Sequence, residues 1–384
     1  MNKDMMMKTK LSKNNNITKI KNIISQNGAV LLVNKYKIIK NSDIIKKKSK
    51  NVIIAPVIKA DGYGVGAKVL VDILIECKYK NFFLGNIKEG IILRKYHKNI
   101  NLYILNNGFP FNTNLIEKYN LIPVLNDIQE IKLWSKNNKK LPCVIHIDTG
   151  MNRLGINFKD IQLLQNINIF NKLNIKFIMS HLACAENKKN NNNEKQLSLL
   201  NKSSNLIKTL TKKNIKSSIC NSAGILLGKK YHLNFVRPGA AFLGINPLEG
   251  KKNIFYEPLT LLTQIYQIRN VSKGMTVGYG ASYKSKKDGK LATISIGYSY
   301  GLSRLLSNIG SVFIKNIEIK IVGRISMDLT VIDISYFKHG EIQPGDMVEI
   351  FGKNRNLEDF AKKNNTISYE IICKMAKNIP KVIY

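Results

Sequence analysis

Eight short apolar runs, separated by longer lysine-rich segments, are the feature that most limits the folds open to this 384-residue chain. Continuous apolar runs are typical of strands buried on both faces, and the amphipathic segments between them suit helices. Eight such β-α units over this span predict a (β/α)8 barrel of the TIM type. The runs are VIIAPVI (52–58), FFLGNI (82–87), LYILNN (102–107), LIPVL (121–125), PCVIHID (142–148), KFIMSH (176–181), SSICNS (217–222) and FVRPG (235–239).

The pattern changes after Pro247, where strand-like runs follow one another at short spacing with turn residues between them. Such spacing is typical of an all-β domain. We therefore predict a barrel over residues 29–250 and a C-terminal all-β domain over 251–384, and we expect residues 1–28 to form a basic, flexible extension. The C-terminal runs are TLLTQIYQI (260–268), KLATISIGY (290–298), GSVFIKNIEIKIVG (310–323), LTVIDIS (329–335) and DMVEIF (346–351).

A formal net charge of +36 raises the question of a nucleic-acid partner, because basic surfaces bind phosphates. The lysines are, however, spread along the whole chain and mixed with asparagine, as in KKNNNNEK (188–195), and no nucleic-acid-binding motif accompanies them. The charge is therefore interpreted as a solvated surface, and no nucleic-acid partner is expected.

The five cysteines are scattered and form no CxxC pair, so neither a metal site nor a disulfide framework is expected. No apolar run is long enough to span a bilayer, and the basic N-terminus lacks a following apolar segment of signal-peptide length. These features predict a cytoplasmic protein that has no membrane partner.

Lys59 ends the first apolar run and is followed by a glycine-rich turn, in VIKADGYGVGA (57–67). A lysine at the end of a strand is well placed to bind a carbonyl cofactor covalently through its amine. The glycines beside it let a ligand approach the backbone closely. An ordinary lysine that faces water at the end of a strand is the alternative interpretation.

Polar side chains also follow the later runs, and the C-terminal ends of barrel strands carry the active site in this fold. Arg153 follows the fifth run, His181 closes the sixth and Arg237 the eighth. Ser222 after the seventh run and Gly239 after the eighth suit a phosphate-binding cradle. A hydrogen-bonded core histidine at position 181 and a helix cap at Asn221–Ser222 are the alternatives.

Nine motifs, in the same order along both predicted domains, resemble those of alanine racemases, which are pyridoxal-phosphate enzymes with a barrel followed by a β domain. The resemblance runs from about residue 29 to the C-terminus. The motifs are VIKADGYGVGA (57–67), HIDTGMNRLG (146–155), SHLACAE (180–186), NSA (221–223), VRPGAAFLG (236–244), VGYGASY (277–283), ISIGYSYG (294–301), VGRISMD (322–328) and TISYEI (366–371).

The resemblance implies a pyridoxal 5'-phosphate cofactor and two catalytic bases, Lys59 and Tyr279, on opposite faces of the substrate Cα. Tyr279 comes from the partner subunit in the family, so a homodimer with shared sites is implied. Arg153 and the backbone of Met327 would bind the substrate carboxylate. The cofactor would be held by Lys59, Tyr63, His181, Asn221, Ser222, Arg237, Gly239 and Tyr369, and the substrate passage would be lined by Tyr298, Arg304 and Arg324.

Two positions depart from the family pattern. His146 stands where many relatives carry a lysine that becomes carbamylated and braces the arginine, so the support of Arg153 is left open. Tyr300 replaces a common aspartate.

The implied function is interconversion of L-alanine and D-alanine for peptidoglycan. The alternatives are a broader-specificity or serine racemase of the same fold, and a cofactor-carrying protein without catalysis.

Overall fold

The structure is a computed structural model that describes residues 17–108, 110–137 and 141–384. The chain divides into two compact units. The first contains the described residues up to Lys37 together with Glu257–Tyr384, and the second is Ile38–Tyr256. In the described part of the chain, each helix is too short or too polar to cross a lipid bilayer.

The described chain begins in the first unit with a helix over residues 17–27, which precedes strand β1 (Ala29–Val33) and helix α1 (Lys35–Lys48). The sequence pattern assigned residue 29 to the barrel and residues 1–28 to a flexible extension, of which residues 1–16 lie outside the described part. The helix buries Ile24 completely, and β1 pairs within a sheet of the first unit. Burial and strand pairing thus tie both segments to the first unit.

Eight parallel strands form the barrel of the second unit, and they coincide with the eight predicted runs. The strand order is β2-β9-β8-β7-β6-β5-β4-β3, and a parallel bridge between Val57 and Phe83 joins its two ends. The predicted (β/α)8 fold is confirmed. The strands are β2 (Ile53–Ile54), β3 (Asn81–Asn86), β4 (Asn101–Asn106), β5 (Ile122–Leu125), β6 (Pro142–His146), β7 (Asn174–Met179), β8 (Lys216–Cys220) and β9 (Phe235–Val236).

Aromatic side chains fill the inside of the barrel, as expected for a packed barrel rather than a pore. Phe83 stacks on Tyr103 with ring centroids 4.8 Å apart, and Phe177 stacks on Phe235 at 4.4 Å.

The helices of this unit connect the strands. They are α2 (Ala67–Glu76), α3 (Ile87–Arg94), α4 (Thr113–Lys118), α5 (Ile128–Asn137), α6 (Phe158–Gln165), α7 (Asn192–Thr211) and α8 (Ser222–Leu227).

Strand β10 (Leu259–Val271) is the centre of the first unit, because it pairs with β1 and with two later strands. The C-terminal domain was predicted to be all-β, and the structure confirms a sheet-rich domain. The remaining strands are β11 (Thr276–Val277), β12 (Tyr283–Lys284), β13 (Gly289–Ile294), β14 (Ser311–Ile314), β15 (Ile317–Lys320), β16 (Thr330–Asp333), β17 (Met347–Phe351) and β18 (Lys381–Ile383).

Two helices, α9 (Leu357–Lys363) and α10 (Ser368–Lys377), also belong to this unit, although the sequence pattern predicted strands alone. Asn356 marks the start of α9, since its side chain accepts a hydrogen bond from the Asp359 N–H. An asparagine that stands three residues before an acidic residue, as Asn356 stands before Asp359, is therefore a sequence signal for the start of a helix.

Candidate active site

Lys59 lies two residues after the parallel bridge at Val57 that extends the first barrel strand, at the start of a left-handed turn. Ala60, Asp61 and Gly62 have φ angles of 54°, 52° and 63°, and Tyr63 has a φ of 58°. A left-handed conformation costs an L-residue about 1–2 kcal/mol. Contacts with the chain outside the turn must therefore hold it in place. One of them is the hydrogen bond that the Ala67 N–H donates to the Asp61 carboxylate at 2.7 Å.

The hydroxyl groups of Tyr63 and Ser222 meet at the backbone of Gly239. The Gly239 N–H donates to Ser222 Oγ at 3.0 Å, and a Cβ at position 239 would overlap the Tyr63 hydroxyl. Both side chains are buried. Two hydroxyl groups beside a glycine whose missing Cβ leaves room for the Tyr63 hydroxyl form a small polar cradle of the kind that holds a phosphate.

Arg237 is 3% exposed and is held between two strands. Its guanidinium donates hydrogen bonds to Ser218 Oγ and to the Ser180 carbonyl, and it lies 5.8 Å from the centroid of the Phe83 ring. Burial lowers the pKa of Arg237 to about 10, although the nearby Cys220 opposes this shift. The guanidinium therefore stays charged at neutral pH and places a fixed positive charge at this end of the barrel.

His181 follows β7 and is positioned through its backbone by Gln196 of α7. Gln196 Nε2 donates to the His181 carbonyl at 2.9 Å, and Gln196 Oε1 accepts from the Ala183 N–H at 2.8 Å. Burial, followed by the positive charges of Arg237, Arg153 and Lys59, holds the pKa of His181 well below its usual range. The imidazole is therefore neutral at physiological pH.

His146 at the end of β6 is fixed in one tautomer by Asn126. The Asn126 amide nitrogen donates to the Leu105 and Val124 carbonyls at 3.0 Å and 2.8 Å. Its oxygen is therefore the atom that faces His146 Nδ1, at 2.8 Å. Nδ1 must then carry the proton, and Nε2 keeps its lone pair. Burial and then Arg237 lower the pKa of His146 to about 4, so this lone pair persists at neutral pH.

Arg153 lies at the end of a tight loop that Asp148 organises. Asp148 Oδ1 accepts hydrogen bonds from the N–H groups of Gly150, Met151 and Asn152, at 2.9, 3.0 and 3.2 Å. The side chain of Arg153 is exposed, and its charge acts on both His146 and His181. The loop thus holds a second cation at the C-terminal ends of the barrel strands.

Asn221 caps helix α8, as one of the sequence alternatives anticipated. Its side-chain oxygen accepts from the Gly224 N–H at 2.9 Å, and its amide nitrogen donates to the Leu182 carbonyl at 3.5 Å. This capping fixes the position of the next residue, Ser222.

Four of the site residues predicted in the first unit come from adjacent loops. The Tyr298 N–H donates to the Ser326 carbonyl at 3.1 Å, and a Cβ at Gly280 would lie 2.8 Å from the Arg324 guanidinium. Tyr279 and Met327 are 68% and 55% exposed. Tyr279, Tyr298, Arg324 and Met327 therefore share one surface of this unit. Arg304 lies in a neighbouring turn, which is joined to the Tyr279 loop by the hydrogen bond from Asn308 Nδ2 to the Ser282 carbonyl at 3.3 Å, and Tyr369 lies on α10.

Sequence reasoning missed Asn126, which sets the tautomer of His146. Asn126 directly follows β5, and it therefore comes shortly after the C-terminal end of a barrel strand, as Lys59 and His181 do. The rule that polar residues after barrel strands face the site would therefore have selected it. It was overlooked because asparagine in a loop has no motif of its own.

The free energy of unfolding is expected to fall as the pH drops from 6.5 to about 4. The unfolded chain binds a proton at His146 near pH 6.5, whereas the folded site resists protonation until about pH 4. The unfolded state then binds more protons, and stability declines by up to about 1.4 kcal/mol per pH unit at this one residue. Urea unfolding at several pH values measures the slope.

The matched variants for this prediction are His146→Gln, which should reduce the slope and leave the part that comes from the lowered pKa of His181, and His339→Gln, which replaces an exposed imidazole of the first unit and should leave the slope unchanged. An equal slope in His146→Gln and in the native protein would contradict the proposed neutral state of His146.

A lysine after the first strand, a polar cradle of Tyr63, Ser222 and Gly239 and a buried arginine are together typical of a (β/α)8 enzyme, a class in which the active site lies at the C-terminal ends of the strands. A family profile described as "Alanine racemase, N-terminal domain" matches residues 33–247, and one described as "Alanine racemase, C-terminal domain" matches residues 258–383. The chain therefore belongs to the alanine racemase family, and it is an isomerase by that membership.

Individual relatives agree with the family assignment. The alanine racemase of Rickettsia bellii is 40% identical over 341 residues, which are 87% of this chain and 82% of that protein. The alanine racemase of Brucella canis is 33% identical over 374 residues, or 92% of this chain and 93% of that protein. A crystal structure of alanine racemase from Bartonella henselae, with covalently bound pyridoxal phosphate, gives a TM-score of 0.86 at 33% identity and covers 93% of this chain and 99% of that one.

Proposed function

We propose that this protein is a pyridoxal-phosphate-dependent alanine racemase that interconverts L-alanine and D-alanine with Lys59 and Tyr279 as its two bases. The observation that carries the proposal is the position of Lys59, which follows the first barrel strand and begins the turn that ends at Tyr63, a member of the cradle built with Ser222 and Gly239. The D-alanine would supply peptidoglycan synthesis. The cytoplasmic location expected from the sequence stays a prediction.

The barrel residues fit pyridoxal phosphate in both charge and shape. Lys59 would bind the cofactor covalently, and the cradle, together with Tyr369, would hold its phosphate. Arg237 would face the pyridine nitrogen, and His181 would lie along the ring. When bound, the cofactor supplies an electron sink that acidifies the α-proton of the amino acid. Arg237 keeps its proton at neutral pH, so it would donate a hydrogen bond to the ring nitrogen rather than accept one.

Racemisation needs a proton removed from one face of Cα and a proton returned on the other. The amine of Lys59 would serve one face and the phenol of Tyr279 the other, so the substrate does not have to turn over. Arg153 and the Met327 backbone would hold the substrate carboxylate in place between them. The neutral imidazole of His181 adds no positive charge to a site that already holds Arg153 and Arg237.

A homodimer with shared active sites is part of the proposal. Five large side chains on the loops around Tyr279 are between 44% and 71% exposed, and an exposed apolar surface of this kind is typical of an interaction site. A second copy of the chain would cover this surface and receive Tyr279 in its own active site. The exposed side chains are Tyr279, Tyr298, Leu305, Ile309 and Met327.

The proposed function is tested by assaying purified protein with each enantiomer of alanine. The native protein should be yellow and should convert either enantiomer to the racemate, and borohydride should abolish both its absorption band and its activity. The alternative of a broader-specificity or serine racemase is decided in the same assay, with serine as the substrate. A colourless protein that leaves both alanine enantiomers unchanged after addition of pyridoxal phosphate would overturn the proposal.

A further inference from the structure

We propose that Glu89 is a positioning residue that holds the Lys59 turn in its left-handed conformation and so aims the Lys59 amine. This role rests on the proposed function of Lys59. Glu89 lies in the first turn of α3, and its carboxylate accepts hydrogen bonds from the Ala60 N–H at 2.9 Å and from the Gly85 N–H at 2.7 Å.

The carboxylate replaces two hydrogen bonds that the barrel ladder loses beside Lys59. The Phe83 N–H donates to the Pro56 carbonyl at 2.8 Å, and the Ile58 N–H donates to the Phe83 carbonyl at 2.7 Å. A regular parallel ladder would continue from Gly85 N–H to Ile58 O, and from Ala60 N–H to Gly85 O. The Ile58 carbonyl instead accepts from the Gly62 N–H at 3.0 Å, because the chain turns left-handed at this point.

Both N–H groups left over by this break point at one carboxylate, and two acceptor oxygens satisfy them together. An acidic residue in the first turn of a helix is common, since it favours the helix dipole. That interpretation does not explain Glu89, because its oxygens bind N–H groups at Ala60 and Gly85, outside its own helix. The carboxylate therefore acts on the Lys59 turn.

Glu89 is itself held firmly. Its N–H donates to Asn86 Oδ1 at 3.0 Å, which caps α3. The space around it is tight, because a Cβ at Gly85 would lie 3.2 Å from Glu89 Oε2 and 3.4 Å from Lys59 Cβ. Glu89 and the base of the Lys59 side chain thus both lie over Gly85, and a displaced carboxylate would act on the lysine through the next residue, Ala60, whose N–H it binds.

The test compares Glu89→Gln with the native protein. Glutamine has the same shape but offers one acceptor oxygen and an NH2 group, so one of the two N–H groups would face a donor. Hydrogen exchange of the segment 58–66, measured without cofactor, should be about 10-fold or more faster in the variant. Formation of the lysine-linked absorption band after addition of pyridoxal phosphate should slow by a similar factor. Glu89→Ala should show larger changes in both measurements.

Asp160→Asn is the matched control, because Asp160 is also an acidic residue in the first turn of a helix and accepts the Asn157 N–H at 2.9 Å within its own helix cap. It should leave both the exchange of 58–66 and the rate of band formation unchanged. Equal exchange and equal band formation in Glu89→Gln and the native protein would overturn the role of Glu89 alone. A native protein that forms no lysine-linked band would overturn the proposed function, and this role with it.

Discussion

Replacement of Lys59 by alanine is expected to reduce alanine racemisation by about 1,000-fold or more, because one amine is proposed both to bind the cofactor and to move a proton at Cα. The absorption band of lysine-linked cofactor should also be absent. Borohydride treatment followed by digestion and mass spectrometry measures the linkage directly. In the native protein the label should appear on the peptide that contains Lys59.

The control for this experiment is Lys68→Ala. Lys68 lies nearby on α2, where it forms an exposed ion pair with Asp72 at 2.7 Å. An exposed pair of this kind contributes little to stability, so the variant should keep its band and its activity. A borohydride label on a different lysine of the native protein would refute the assignment of Lys59.

The Tyr279→Phe variant is expected to lose about 100-fold to 10,000-fold in racemisation, the range typical of removing a general base or acid. It should nevertheless keep one partial reaction. The remaining base, Lys59, can still remove and return a proton on its own face of Cα. The α-proton of one alanine enantiomer should therefore continue to exchange with deuterated water without racemisation, which NMR follows for each enantiomer separately.

Tyr266→Phe is a closely matched control, because Tyr266 lies in the same unit and is 68% exposed, the same fraction as Tyr279. It should leave racemisation unchanged. If Tyr279→Phe still racemised alanine at the native rate, Tyr279 would not be the second base.

Mixing the two inactive variants tests whether the sites are shared between subunits. A heterodimer of Lys59→Ala and Tyr279→Phe chains would contain one site with both bases and one with neither. After random subunit exchange, activity should return to about a quarter of the native value. A mixture that stays inactive, although subunit exchange is verified by mass spectrometry, would mean that each chain uses its own Tyr279.

The barrel could be predicted from the sequence because its strands are buried on both faces. Runs such as LIPVL (121–125) and FVRPG (235–239) coincide with β5 and β9 to within a few residues. The C-terminal helices α9 and α10 were missed, because short amphipathic helices between strand-like runs give a weak periodic pattern. Strand β1 was assigned to the barrel because an isolated apolar run does not reveal its pairing partner.

The candidate site residues could be predicted in part, because the C-terminal ends of parallel strands meet at one end of a barrel. Arg237 and His181 were selected by that rule and lie near each other in the structure, where the charge of Arg237 lowers the pKa of His181. Glu89 and Asn126 were missed. Each acts through a hydrogen bond to a residue at least twenty positions away, and sequence periodicity carries no record of such a contact.

The amino-acid sequence by itself determined the order of the strands along the chain, the end of the barrel at which the active site is expected and the identity of the proposed lysine. These follow from local composition, since burial on both faces and polar strand ends are properties of short segments. Only the tertiary structure decided the left-handed turn after Lys59, the neutral tautomer of His146 and the charge environment of His181. Each of these depends on the positions of groups brought together by folding, because hydrogen bonds and electrostatic interactions act over distance in space and not along the chain.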